Sequence, residues 1–411
     1  MKLLFTLLLM VVSFSVYALD KDAVEQWKSD IDHYAKILAE RHIDAFHSIS
    51  ESEFQQRLDA LKGSLDSKTR EQVLVELMEI TRAINDGHTS VPLWNQTLNK
   101  FPLSFKVIND KPYVIGATEE HLDLLGAEIA SVENYSADKV LNELAAIVPF
   151  SENPYSKKAN AGYYLNRAEV LAGLGLIATP SNAEFTFSKD GRKFSTDLKS
   201  SDSYQLAHTI SFRNTNGIMP VEKVNDNVWF GSTHEGDTVY FKYRRYPSMS
   251  EMESLAEDLL EYINENQSRH LIIDLRENYG GDFFIGLKLA QYLVLADSID
   301  WKSGVYVLID NETFSAAMSN AAQYTQILNA TLVGEPTGAK PSGYQDMGQF
   351  TLPNSNLLIT YSKRLYHFKE EGKNALYPSK DIALTIGDYI NQNDRPLKWV
   401  LDNIEKGKRY E

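Results

Sequence analysis

The chain has 411 residues, with 56 acidic against 41 basic side chains and a formal charge of −15, which argues against nucleic acid or an anionic membrane as its partner. It contains no cysteine, which rules out disulfides and a lipid-anchored thiol and leaves stability to the hydrophobic core. The length is enough for two or three ordinary domains.

Residues 1–18, MKLLFTLLLMVVSFSVYA, carry one lysine, an apolar run, and Val16 and Ala18 at the small-residue positions of a cleavage site. This predicts a secretory signal peptide too short for a membrane span. An exported, most simply periplasmic, protein is expected, with no stable membrane insertion once the leader is removed. From Val24 to Arg82 apolar residues recur at helical spacing: Trp27, Ile31, Tyr34 and Leu38, then Val73, Leu77, Ile80 and Ile84. This helical region, residues 19–92, ends at Asn85-Asp86-Gly87-His88-Thr89, where a turn leads into a strand. A histidine there is held by backbone on both sides. On this stretch alone it reads equally as a side chain that satisfies a loop carbonyl.

Residues 93–225 change character. LSFKVI and PYVIGA flank Asn109-Asp110 as a hairpin, and residues 184–198 alternate around Asp190-Gly191 as a second one. Residues 126–148 read as strand, turn and amphipathic helix, and 151–175 as helical. From Val228 strands and helices alternate at βαβ spacing: strand 238–246, helix 251–265, strand 271–275, helix 284–295, strand 305–309, a helix from Ser315, and strand 331–333. A glycine turn and Lys340 follow. The expected fold class is therefore α/β, with a core over 226–411.

Two places in this core carry chemistry. Gly280-Gly281 lie between a buried strand and a helix, where backbone can approach a bound group and aim N–H donors at it. The phosphate-loop ending is missing, which leaves an oxyanion hole or a plain tight turn. Ser315 stands at a helix start, a favourable setting for a nucleophile whose reaction develops negative charge and equally the setting of an ordinary N-cap. No metal-ligand spacing occurs, and neither metal nor cofactor is implied.

Asp274, Leu275, Arg276, Asn278, Gly280 and Gly281, then Thr313, Ser315 and Ala316, then Gly334, Glu335, Thr337 and Lys340, resemble the serine peptidase family of the C-terminal processing (tail-specific) proteases and the tricorn core. The Asp86-Gly87-His88-Thr89 turn is similar to the one this family places before an inserted PDZ-like module. The resemblance covers about Leu77 to Leu401. It implies a ClpP/crotonase-like spiral ββα core, an N-terminal helical domain, a PDZ-like insert over 93–225, and peptides or unfolded proteins as substrates. It makes Ser315 the nucleophile and Gly280 or Gly281 with the N–H of Ala316 the oxyanion hole. The general base is Lys340, by likeness to the tail-specific branch, or His88, by likeness to the tricorn branch, with Glu370 or Glu371 as the tricorn-type acidic partner. The chain departs from the tail-specific pattern at Ala317, Met318, Pro341 and Tyr344, which favours His88 over Lys340. A non-catalytic peptide- or lipid-binding protein of the same fold, or an acyl hydrolase of other specificity, is the rival expectation.

Overall fold

The computed structural model describes residues 18–212, 217–233, 236–369 and 372–408. The signal peptide expected at 1–18 lies outside them except for its last residue. So do Glu370 and Glu371.

The chain begins with three helices, α1 (Lys21–Arg41), α2 (Glu51–Ser64) and α3 (Arg70–Arg82). Each is started by a side chain that accepts an otherwise unpaired N–H: Asp20 from Ala23, Ser50 from Glu53, and Thr69 from Gln72 in a capping box. Trp27, Ile31, Tyr34 and Leu38 form the buried face of α1, as the helical spacing predicts.

An antiparallel sheet follows, built from β1 (Leu103–Ile108), β2 (Lys111–Ala117), β3 (Glu128–Val132) and β4 (Tyr135–Ser136). The helices α4 (Ala137–Ile147), α5 (Pro154–Tyr164) and α6 (Ala168–Gly173) come next. The sheet is completed by β5 (Asn182–Lys189), β6 (Arg192–Lys199) and β7 (His208–Thr209). The strand order is β1-β2-β3-β5-β6, with β4 on β3 and β7 on β2. Both hairpins turn where the sequence places them. Asn109 and Asp110 adopt φ of 49° and 66°, the pair of positive values a two-residue turn of that hand requires. Helix α5 packs against β1 and α4. One continuous apolar core joins α1–α3 to this sheet and takes in Phe350, Leu352 and Ile359 from far along the chain.

The second large sheet is built from β8 (Met219–Asn225), β9 (Val228–Ser232), β10 (Thr238–Tyr243), β11 (His270–Asp274), β12 (Val305–Ile309) and β13 (Thr331–Gly334). Three helices connect its parallel strands: α7 (Met249–Asn266), α8 (Phe283–Leu293) and α9 (Ala316–Ile327). Then come a long hairpin, β14 (Ser342–Thr351) and β15 (Leu358–His367), a short strand β16 (Lys380–Asp381), and helices α10 (Ile386–Ile390) and α11 (Arg395–Lys408). The order is β16-β13-β12-β11-β10-β9-β8; β10, β11, β12, β13 and β16 run parallel, and β9 is antiparallel to both β10 and β8.

Period-two alternation assigns the faces. Leu271, Ile273, Val307 and Ile309 pack on α7–α9, while Ile272, Tyr306 and Leu308 pack with Leu397, Val400 and Ile404 of α11. With both faces covered, the central strands read as unbroken apolar runs. Residues 352–357 form the turn that joins β14 to β15. No helix of the described residues is long and apolar enough to cross a membrane.

Candidate active site

The parallel strands β11, β12 and β13 end side by side, and the loops that leave their carboxyl ends meet there, as is usual for ligand sites in such sheets. Ser315 lies on the turn from β12 into α9 with φ 51° and ψ −123°, backbone a residue with a side chain rarely takes. It occupies the N-cap position, yet its hydroxyl caps nothing. Neighbours pin the turn: Thr313 Oγ1 donates to the Leu275 carbonyl at 3.0 Å, and Phe314 N–H donates to the Asn278 carbonyl at 3.0 Å.

His88 reaches Ser315 from the far side. Its Nε2 lies 2.8 Å from Ser315 Oγ, and its ring stacks on Phe314 with centroids 5.3 Å apart. The histidine is only 3% exposed. Asp86 builds the turn that carries it. One carboxylate oxygen accepts the N–H groups of His88 (2.8 Å) and Thr89 (2.7 Å) and the Ser362 hydroxyl (2.8 Å); the other faces His42 Nε2 at 2.9 Å. Since His42 Nδ1 accepts the Asp44 N–H at 2.9 Å, the His42 proton sits on Nε2 and is donated to Asp86. Burial pushes the Asp86 carboxyl up, but His42, Thr89 and Ser362 outweigh it and hold it at about 2. Ser90 pairs with Thr360 of β15, which fixes the strand beyond the turn.

Asn278 shapes the glycine loop. Its Oδ1 accepts the Gly280 N–H at 2.9 Å and its Nδ2 donates to the Tyr243 carbonyl at 2.7 Å. Gly280 has φ 101°, and a Cβ there would come within 2.7 Å of Ser315 Cβ, so only glycine fits against the serine. With the Gly280 N–H engaged, the expectation of Gly280 or Gly281 narrows. The N–H groups of Gly281 and Ala316 have no partner among the described residues, and both residues line, with Ser315, a cleft of about 400 Å³. Phe283, Phe284 and Tyr366 form an aromatic wall on one side. Gln345, 3% exposed, also lines the cleft, and its Nε2 has no hydrogen-bond partner among the described residues.

The structure thus brings Ser315, His88, Gly281 and Ala316 together, with the Lys340 backbone behind them at Glu152. Lys340 donates its backbone N–H to Glu152 Oε2 at 2.9 Å. It lines a different pocket, with His47, Tyr344 and His367. Its side chain makes no hydrogen bond or ion pair to Ser315 among the described residues. One residue the sequence reading passed over lies directly behind the histidine: Glu152 Oε1 is 3.6 Å from His88 Nδ1. The local signal for it was faint. Asn153 and Ser156 form a capping box that opens α5 at Pro154, which leaves Glu152 on a buried bend just before a helix.

No family model matches the sequence, and no curated protein matches it. Solved structures do. Mature CPAF complexed with lactacystin superposes with a TM-score of 0.61 over 93% of this chain and 98% of its own, at 13% identity. The chain has the CPAF fold. The tricorn protease matches over 94% of this chain and 37% of its own (TM-score 0.47, 14% identity). The photosystem II D1 C-terminal processing protease matches over 87% and 93% (TM-score 0.43, 14% identity). On the CPAF fold of this chain, Ser315 and the two free N–H groups come from the second large sheet's loops, and His88 comes from the loop after α3.

Proposed function

We propose that the chain is an exported serine peptidase of the C-terminal processing and tricorn family, acting on peptides or unfolded proteins through an acyl-enzyme on Ser315. The observation that carries the reading is the 2.8 Å approach of His88 Nε2 to a serine hydroxyl that caps no helix. In this reading residues 226–411 are a ClpP/crotonase-like core, 19–92 an N-terminal helical domain, and 93–225 a PDZ-like insert. His88 is the general base.

Ser315 Oγ attacks the scissile carbonyl as its proton passes to His88 Nε2. The carbonyl oxygen becomes an oxyanion between the N–H groups of Gly281 and Ala316, each such donor contributing about 3–4 kcal/mol to the transition state. The imidazolium then gives its proton to the departing amine, and water, deprotonated by the same Nε2, releases the acid and restores the serine. The strained backbone at Ser315 supports this over the binding-protein rival, since retention alone needs no such turn.

The test is labelling with a fluorophosphonate followed by mapping of the modified residue. Label on Ser315, absent from Ser315→Ala, together with peptide hydrolysis reduced on the order of 10⁴–10⁶-fold in Ser315→Ala and His88→Ala, is expected. A folded protein whose Ser315 takes no label refutes the reading.

A further inference from the structure

A histidine that accepts the serine proton at Nε2 must carry its own proton on Nδ1, and a buried Nδ1–H needs an acceptor. Asp86, next but one in the chain, is already saturated: its two oxygens serve the N–H groups of His88 and Thr89, the Ser362 hydroxyl and His42. The facing group is Glu152, 6% exposed. Among the described residues His88 Nδ1 and Glu152 Oε1 are both buried without a hydrogen-bond partner, and they lie 3.6 Å apart.

We infer that Glu152 is the acidic positioning residue of the site, orienting His88 through Nδ1; this rests on the peptidase reading of Ser315 and His88. The surroundings hold the carboxylate in place for that task. Its other oxygen is tied to the Lys340 N–H at 2.9 Å, and its own N–H donates to Ser156 Oγ at 3.0 Å. The Arg82 guanidinium, which donates to the carbonyls of Asp86 and Ser151, is close enough to feel both the Asp86 and the Glu152 carboxylates. Gly87 makes room: a Cβ there would fall 2.2 Å from Glu152 Cγ. Asn153 anchors the bend to the core by donating to the carbonyls of Thr337 (2.9 Å) and Asn374 (2.7 Å). A short inward movement of the glutamate closes the gap to hydrogen-bond length and satisfies two buried orphans at once, each of which otherwise costs about 1–3 kcal/mol.

The experiment compares wild type, Glu152→Gln and Glu152→Asp at matched folded fraction by near-ultraviolet circular dichroism. The amide of Glu152→Gln keeps the shape but offers an N–H to Nδ1, which moves the ring proton to Nε2 and removes the base. Fluorophosphonate acylation of Ser315 is expected to fall on the order of 10²–10⁴-fold with peptide KM nearly unchanged, and Glu152→Asp to recover part of the loss. Nitrogen-15 shifts of His88 are expected to show the proton on Nδ1 in wild type and on Nε2 in Glu152→Gln. Wild-type acylation in Glu152→Gln, or the same tautomer in both proteins, overturns the inference. Failure of wild type itself to acylate instead refutes the peptidase reading, while the tautomer measurement still decides the contact between Glu152 and His88.

Discussion

Asp86 is the residue whose loss the structure prices most clearly. Replacing it by asparagine keeps the shape and one acceptor oxygen, so the N–H groups of His88 and Thr89 and the Ser362 hydroxyl retain a partner. The other oxygen becomes an NH₂ aimed at His42 Nε2–H, donor against donor. His42 cannot simply switch tautomer, because its Nδ1 already accepts from Asp44. At 4% exposure water cannot repair the clash. One charge-assisted hydrogen bond lost and a donor left unpaired amount to about 2–4 kcal/mol.

The same magnitude follows from the carboxyl, held at about 2 against an ordinary 3.8; this depression is worth about 2–3 kcal/mol. A depressed acid stabilises the fold above its unfolded pKa and loses that contribution as pH falls through the folded value. Urea unfolding of Asp86→Asn is therefore expected to show a deficit of about 2–4 kcal/mol near neutral pH that shrinks between about pH 4 and about pH 2. A variant within about 0.5 kcal/mol of wild type at neutral pH, or a deficit independent of pH, would mean that the Asp86 network does not carry this load.

Lys340→Ala is expected to acylate Ser315 within about threefold of wild type, because His88 Nε2 faces Ser315 Oγ at 2.8 Å and the contact of Lys340 with Glu152 is made by its backbone N–H; single-turnover labelling measures it, and a loss above about 100-fold would return the base role to the lysine. Glu335, at the end of β13, titrates at about 7 rather than 4.5, chiefly through burial and then through the charge of Asp310. A raised acid costs the fold nothing while protonated and costs it stability as pH climbs from about 4.5 to about 7, here by about 3 kcal/mol. Unfolding free energies of wild type and Glu335→Gln measured at pH 5 and 8 are expected to diverge in favour of the variant at the higher pH; parallel values would refute the assignment.

What was legible in the sequence is what local chemistry encodes. The helix starts, the two hairpins and the strand-helix-strand run around Ser315 follow from caps, turn residues and periodicity acting within a few positions. The His88 turn was visible because Asn85, Asp86 and Gly87 stop a helix there. Glu152 was not, since its meeting with His88 depends on a glycine at 87, a core loop at 337–340 and the docking of α5, none of which leaves a periodic trace. For Lys340, spacing from Ser315 locates the backbone, whose N–H meets Glu152, but spacing does not encode the course of the side chain. The β14–β15 hairpin escaped because Pro353, Asn354 and Ser355 look like an interruption, when they form the turn of a ribbon that packs on α1 and holds Ser90.

The loop that donates Glu152 makes the site indivisible. His88 follows α3, Glu152 precedes α5, and Ser315 with its two N–H donors belongs to the last third of the chain. During synthesis the histidine and the glutamate emerge first and the serine last. A fragment ending before β12 has His88 and Glu152 but no Ser315, and a liberated 226–411 segment has Ser315 but neither of them. On the function proposed above, hydrolysis would then require the whole polypeptide to have closed on itself and would double as a report of complete folding.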